Sequence, residues 1–509
     1  MSDRRGRRSR QAGLGVPQRD VSHRNLRNPF TPQTVFSEDE AQALHQNALR
    51  VMQELGWKVL LPEARDLYRK AGALVDDDTE MVRIGADIIE EALKTAPKSF
   101  TIRAGSPELD VKMALGELTF LCGAGCPNAT DRERGRRPGS LRDFEELTKI
   151  IAGFECFHMH NASVEPQDVP IHLRHYATMR VQALAGNEVP FVFSRGTQQV
   201  EDCFRMIQIM RGIDENAFRA EPWTKTIVNT NSPRQLDRPM AQGVIDFARW
   251  GQLCVVTPFC LLGAMAPVTV AGALSLQHAE ALATIALSQI ANPGAPVMYG
   301  NFASNVDMKS GAPAFGTPEH IKATLGSGQL ARLIGLPWRS AAGTAGNMAD
   351  AQAAAETAMS LWATVMAGAT MVVHSAGWLE GGLTHGYEKL ILDAEMVQVF
   401  AELCAPTAAD EAAMAFDAIA EVQPGGHFFA AQHTMERFQT AFWEPLAADW
   451  SNFGQWTENG SLSADERATG IWKERLASHQ PVTPPDERLD QLEAFIEKRT
   501  AEGGAPPGE

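Results

Sequence analysis

The segment Pro296-Val-Met-Tyr-Gly-Asn301, followed by the amphipathic run 317–334, decides how the rest of the chain is read. A short β-branched and aromatic run ends in Gly and Asn and gives way to helical periodicity. The pattern recurs at 118–122, 157–160, 190–195, 226–231, 254–260, 337–342 and 371–374. A further run at 100–103 reads as a lead-in strand. Eight β-then-α units over about 280 residues predict an α/β fold, a parallel (β/α)8 TIM barrel. Such barrels carry their chemistry at the C-terminal ends of the strands, so that is where candidate residues are sought.

The helices follow from periodicity and caps. Ser140-Leu-Arg-Asp opens the first barrel helix. The others are expected at 170–185, 199–211, 239–250, 271–291, 317–334, 350–367 and 387–404. Ahead of the barrel, Ser37-Glu-Asp-Glu caps a helix through Leu55, with Ala41, Leu44 and Ala48 on one face. Two more helices, at 62–71 and 85–96, complete a small helical N-terminal subdomain. The expected organisation is a disordered basic tail (1–36), the N-terminal subdomain (37–116), the barrel (117–404), a mostly helical C-terminal extension (405–498) and a disordered tail (499–509). The extension contains two aromatic stretches, Gly425-Gly-His-Phe-Phe and Phe442-Trp-Glu-Pro.

A net charge of -16 over 509 residues argues against non-specific nucleic-acid binding. Seven cysteines without paired spacing argue against a disulfide framework, and Cys122-x-x-x-Cys126 lacks the second half a structural zinc site needs. No apolar run suggests a membrane span. The stretch Arg4-Arg-Gly-Arg-Arg-Ser-Arg10 has no following hydrophobic region and is not a secretory signal. A cytoplasmic protein is expected, with a homodimer as the default assembly.

The strand ends collect Gly123 and Gly125, then His158, His160 and Asn161, then Ser194 and Arg195. Asn229, Thr230 and Asn231 follow the fourth strand and Phe259 the fifth. Tyr299, Asn301 and Phe302 follow the sixth. Trp338 lies on the seventh, with Thr344 and Asn347 beyond it. His374, Ser375, Trp378 and Glu380 follow the eighth. The strand ends show no lysine placed for a Schiff base, no G-x-S-x-G and no P-loop. His158-Met-His160 is the nearest approach to a metal pair, but no acid or cysteine at other strand ends completes it. What remains is aromatic and amide-rich. Tyr299, Phe302, Phe259, Trp338 and Trp378 are candidates to wall a methylated ammonium, which is held by ring faces because it donates no ordinary hydrogen bond. Arg195, His374 and Asn229 are candidates to hold a carboxylate at the ligand's other end. Arg195 has a competing role as ion-pair partner to a barrel acid.

Five blocks carry a family resemblance. They are Asn229-Thr-Asn-Ser-Pro-Arg-Gln-Leu-Asp, Gly263-Ala-Met-Ala-Pro-Val-Thr-Val-Ala-Gly-Ala, Asp350-Ala-Gln-Ala-Ala-Ala-Glu356, His374-Ser-Ala-Gly-Trp-Leu-Glu-Gly-Gly and His433-Thr-Met-Glu-Arg-Phe. Over roughly 35–450 the sequence resembles the trimethylamine methyltransferase family of corrinoid-dependent methyltransferases. The resemblance implies a barrel that moves a methyl group from a methylated amine to the cobalt of a separate corrinoid (cobalamin) protein, with no cofactor, metal or catalytic side chain of its own. Founding members use pyrrolysine. This chain has only standard residues and so resembles the branch associated with quaternary amines such as glycine betaine.

On that reading Tyr299, Phe302 and Trp338 face the ammonium. His374, Asn229 and Arg195 grip the carboxylate, and Glu380 orders the loop after the eighth strand, with Asn301 nearby. The alternatives are a non-catalytic betaine-binding or sensing barrel and, third, a metal-dependent barrel hydrolase using His158 and His160.

Overall fold

The structure, a computed structural model, describes residues 21–482 and 484–508. Its centre is the (β/α)8 barrel. The barrel strands are β1 Glu117–Phe120, β2 at 157–160, β3 at 189–193, β4 Lys225–Val228, β5 Leu253–Val256, β6 Val297–Gly300, β7 Trp338–Ala341 and β8 Met371–Val373. From β4 to β8 every neighbour pairs in parallel, and β8 pairs in parallel with β1 through Met371↔Thr119. The ring continues through His158 N–H donating to Phe120 O (3.1 Å) and the bridges Met159↔Val189 and Phe191↔Lys225.

The barrel helices are α1 Leu141–Ala152, α2 Arg174–Ala185, α3 Thr197–Arg211, α4 Arg238–Arg249, α5 Val270–Ala291, α6 Pro318–Ile334, α7 Ala351–Met366 and α8 Tyr387–Leu403. Five of them start where a side-chain cap says they should. Ser140, Asp237, Thr269, Thr317 and Asp350 each accept a backbone N–H three residues on. Helix α5 is by length and composition apolar enough to cross a bilayer, contrary to the expectation of no such run. However, 78% of its most apolar stretch is buried against neighbouring helices.

Which strand residues face inward is set by a plug. The hairpin Ser99–Ile102/Val111–Ala114 closes the N-terminal end of the barrel. Its Ile102, Val111 and Met113 pack with Leu121, Met159, Val189, Leu253, Val255, Met298, Met371 and Val373. Period-two alternation then sends the residues beside these outward, into the helix layer.

Three composition-based expectations need correcting. The N-terminal subdomain is not purely helical. Trp57–Val59, Leu74–Asp76 and Met81–Arg83 form a small sheet that Gln235–Leu236 extends. Within 1–36, the segment from residue 22 onward is not a free tail, since Leu26–Arg27 pairs antiparallel with β1. The basic stretch Arg4–Arg10 lies outside the described residues. The Gly/Pro-rich end is also placed: Gln199 Nε2 donates to Ala505 O (2.7 Å) and Gly508 N–H donates to Arg195 O (2.8 Å).

Candidate active site

On β6 Met298 packs against the plug and so faces inward, as does Gly300, and Tyr299 faces out. The pairing Tyr299↔Trp338, Gly300↔Arg339 carries the same phase onto β7. Tyr299 and Trp338 therefore do not reach the mouth. Tyr299 OH meets His278 Nδ1 (3.0 Å), and Trp338 Nε1 donates to Gly368 O (2.8 Å), both in the helix layer. Asn301 is also structural: its amide donates to Gln277 Oε1 (2.7 Å) and its carbonyl accepts from Ala303 N–H (2.8 Å).

The residue that alternation turns inward on β7 is Arg339, which is 2% exposed. Its Nη1 donates to Asn301 O (3.3 Å), its Nη2 lies 3.1 Å from His374 Nε2, and its guanidinium sits 5.1 Å from the Phe302 ring. Among the described residues no carboxylate pairs with it, and its Nε has no partner. Burial pushes the guanidinium down to about 9, so it is still a cation at neutral pH.

His374 closes the other side. It holds a left-handed φ of 60°, uncommon for a non-glycine residue. Burial first, then Arg339 and His385, push its imidazole well below the ordinary histidine value, so it is neutral. A neutral ring has one accepting nitrogen. Here two donors compete for it, Ala124 N–H at Nδ1 (3.3 Å) and Arg339 Nη2 at Nε2 (3.1 Å). Whichever tautomer forms, one N–H faces another N–H. A carboxylate accepting from both Arg339 and a protonated Nε2 removes that conflict and pairs the buried cation.

Mouthward of Arg339 the rings converge. Phe302 lies 4.7 Å from Phe259, 5.7 Å from Phe315, 5.6 Å from Trp378 and 5.5 Å from His374, and Trp378 stacks on His374 at 4.3 Å. Phe259 and Phe302 are held side by side by a short parallel ladder, Phe259–Leu262 with Phe302–Asn305, that extends β5 and β6 beyond the barrel. Of the five rings proposed from sequence, Phe259, Phe302 and Trp378 come together here, and Phe315 joins them.

The remaining candidates separate. Arg195 makes a bidentate ion pair with Glu165 (2.7 and 2.9 Å) and stacks on Phe193, so its charge is already answered, as its competing role anticipated. Glu380 pairs with Arg136 (2.9 Å), tying the β8α8 loop to the strip after β1. Asn229 is exposed at the end of β4. Its loop is fixed by Glu280 of α5, which accepts from Ser232 Oγ (2.6 Å) and from Arg234 N–H (2.7 Å). His158 and His160 flank inward-facing Met159 and point away from the mouth. His158 Nδ1 accepts from Phe120 N–H (3.2 Å), and His160 lies 3.4 Å from Glu188. The metallohydrolase reading loses its ligands for that reason.

A second buried cation, Lys225, starts β4, donating to His160 O (2.7 Å) and Asn161 Oδ1 (3.2 Å). Burial brings its ammonium down to about 7. The unfolded chain keeps that proton to about pH 10. Between the two values the unfolded state binds more protons, so folded stability rises with pH there. Lys225→Met removes that rise. The variant's stability relative to wild type is expected to fall by on the order of 1–3 kcal/mol between pH 6.5 and 9.5 in denaturant titrations.

The mouth thus has a cationic floor and an aromatic wall. The family model described as trimethylamine methyltransferase (MTTB) matches residues 3–504. The chain belongs to the trimethylamine methyltransferase family. It is 32% identical to the glycine betaine methyltransferase of Desulfitobacterium hafniense (strain Y51), covering 92% of this chain and 98% of that one. It is 26% identical to the trimethylamine methyltransferase MttB of Desulfitobacterium hafniense (strain DSM 10664 / DCB-2), covering 92% and 94%. Among solved structures, the monomethylamine methyltransferase MtmB of Methanosarcina barkeri aligns over 96% of this chain and 92% of its own, at 11% identity and a TM-score of 0.47.

Proposed function

We propose that this member of the trimethylamine methyltransferase family demethylates a quaternary ammonium bearing a carboxylate, of the glycine betaine class, and passes the methyl to a separate corrinoid protein. The observation that carries the reading is Arg339: a buried guanidinium without a carboxylate partner, beside a neutral histidine with one donor too many, just beneath four aromatic rings.

The charge arrangement orients the ligand. Arg339 makes the floor of the mouth positive, so a zwitterion enters carboxylate first. Arg339 and His374 Nε2–H take its oxygens. The ammonium then lies mouthward, against Phe259, Phe302, Phe315 and Trp378, each face contributing about 0.5–2 kcal/mol. This leaves an N–CH3 bond turned toward the mouth.

A quaternary nitrogen is already positive and leaves as a neutral amine, so the side chains at the mouth have no proton to move. Their part is alignment and exclusion of water. The corrinoid protein supplies cobalt(I) as the nucleophile. The rim suits such a visitor. Four successive loops, after β5, β6, β7 and β8, present Val268, Met308, Met348 and Leu383 at 53–73% exposure.

Met308→Glu is therefore expected to raise KM for the corrinoid protein about tenfold, an interface effect of roughly 1–2 kcal/mol, with betaine affinity unchanged. Equal losses in both would remove the rim from the docking surface.

The reaction is tested by mixing the chain, a corrinoid protein reduced to cobalt(I) and glycine betaine, and following dimethylglycine by NMR. Formation of one dimethylglycine per cobalt supports the proposal. Tight betaine binding without demethylation would favour the sensing barrel.

A further inference from the structure

We infer that residues 405–462, together with the outer faces of α7 and α8, form the interface with a second copy of this chain. The inference rests on the methyl-transfer reading only where it sets the corrinoid protein aside as the occupant. In this arm, among the described residues, only Ala431 and Ala447 are buried. Its helices, Glu411–Met414, Phe416–Glu421, Gln432–Arg437 and Phe453–Glu458, are too short to be stable alone. Yet Phe416, Phe429, Phe438, Phe442, Trp450 and Phe453 stand 56–80% exposed. An aromatic side chain buries about 150–250 Å², so these six offer roughly 650–1,100 Å² per chain. A stable interface takes about 800 Å² from each partner, and obligate homodimers are the more apolar class.

A matching face lies where the arm departs. The exposed positions of α7 are Ala351, Gln352, Ala354, Ala355, Met359 and Trp362, none of them charged. Val399 and Leu403 continue the apolar surface at the end of α8. The arm carries eight carboxylates and one arginine. That balance opposes an anionic lipid surface or a nucleic acid, but it meets no charged side chain among the exposed positions of α7. Barrel helices run antiparallel to the strands, so Trp362, Val399 and Leu403 sit toward the end opposite the mouth. A protein that must reach the mouth is thus a poor occupant, whereas a second copy, arm over α7 in both directions, closes a two-fold assembly.

Sedimentation velocity of the intact chain at about 1 μM tests this, with Phe429→Glu/Phe442→Glu as the variant. The expected result is a dimer, or an assembly of dimers, that the variant converts to monomer with unchanged far-UV circular dichroism. If the variant unfolds, hydrogen exchange of the intact chain decides: protection of 405–462 that rises with protein concentration supports the interface. A monomeric wild type overturns it. So does a variant that stays dimeric, an arm that exchanges freely at every concentration, or an arm protected only by adding the corrinoid protein.

Discussion

Arg339→Met is expected to lower kcat/KM for betaine by on the order of a hundredfold to a thousandfold without lowering the melting temperature. The two effects have one cause. A buried cation without a counter-charge costs the fold several kcal/mol of desolvation, and an apolar side chain of similar length relieves that cost. The substrate carboxylate is the group that answers the charge. Truncating one side of a desolvated, hydrogen-bonded charge pair costs about 2–5 kcal/mol. Arg339 is flanked by Asn301 O, His374 and the Phe302 ring, with no acid. The loss is therefore expected in KM for betaine rather than in helix content or cooperativity of unfolding. A variant that unfolds early would make Arg339 a structural residue. One that keeps full activity would place the carboxylate elsewhere.

Phe302→Leu separates the ammonium from the carboxylate. The substitution keeps apolar volume and removes a π face, at a cost of about 0.5–2 kcal/mol in cation binding. The neutral carbon isostere of betaine, 3,3-dimethylbutyrate, has the same shape and the same carboxylate. Phe302→Leu is expected to weaken betaine by roughly three- to thirtyfold while changing affinity for the isostere by less than twofold. Because Phe302 meets Phe259, Phe315, Trp378 and His374, no other single ring touches as much of the wall. Equal loss for both ligands would mean that Phe302 contributes packing and nothing specific to the charge.

The fold was legible because the βα period repeats and because caps such as Ser140, Thr317 and Asp350 mark the helix starts. The site was legible only in part, and the failure has a single physical origin. A strand's sequence marks its C-terminal end but not which parity faces inward, and a shift of one residue exchanges the two faces of a strand. Strand-end position alone therefore points to Tyr299 and Trp338, whereas the inward parity belongs to Arg339. A sequence signal for Arg339 did exist: an arginine inside a parallel strand, a position that buries both faces.

Phe315 was missed because it lies in a loop, beyond the ladder that extends β6. Lys225 begins its strand, so the strand C-termini do not reveal it. Glu280 stands on α5 and reaches the mouth only through the loop it holds. The placed segments at both ends were hidden by composition. Polar or Gly/Pro-rich sequence does not reveal a backbone hydrogen bond to β1 or to Arg195.

Titration calorimetry with glycine betaine, choline and trimethylamine tests the central claim most directly: the site recognises a carboxylate and a quaternary ammonium together. Choline keeps the ammonium and lacks the carboxylate, and trimethylamine lacks both. Betaine is expected to bind at least about tenfold tighter than either, one ion pair being worth more than the 1.4 kcal/mol that a factor of ten requires. Choline or trimethylamine binding as tightly as betaine would contradict the account.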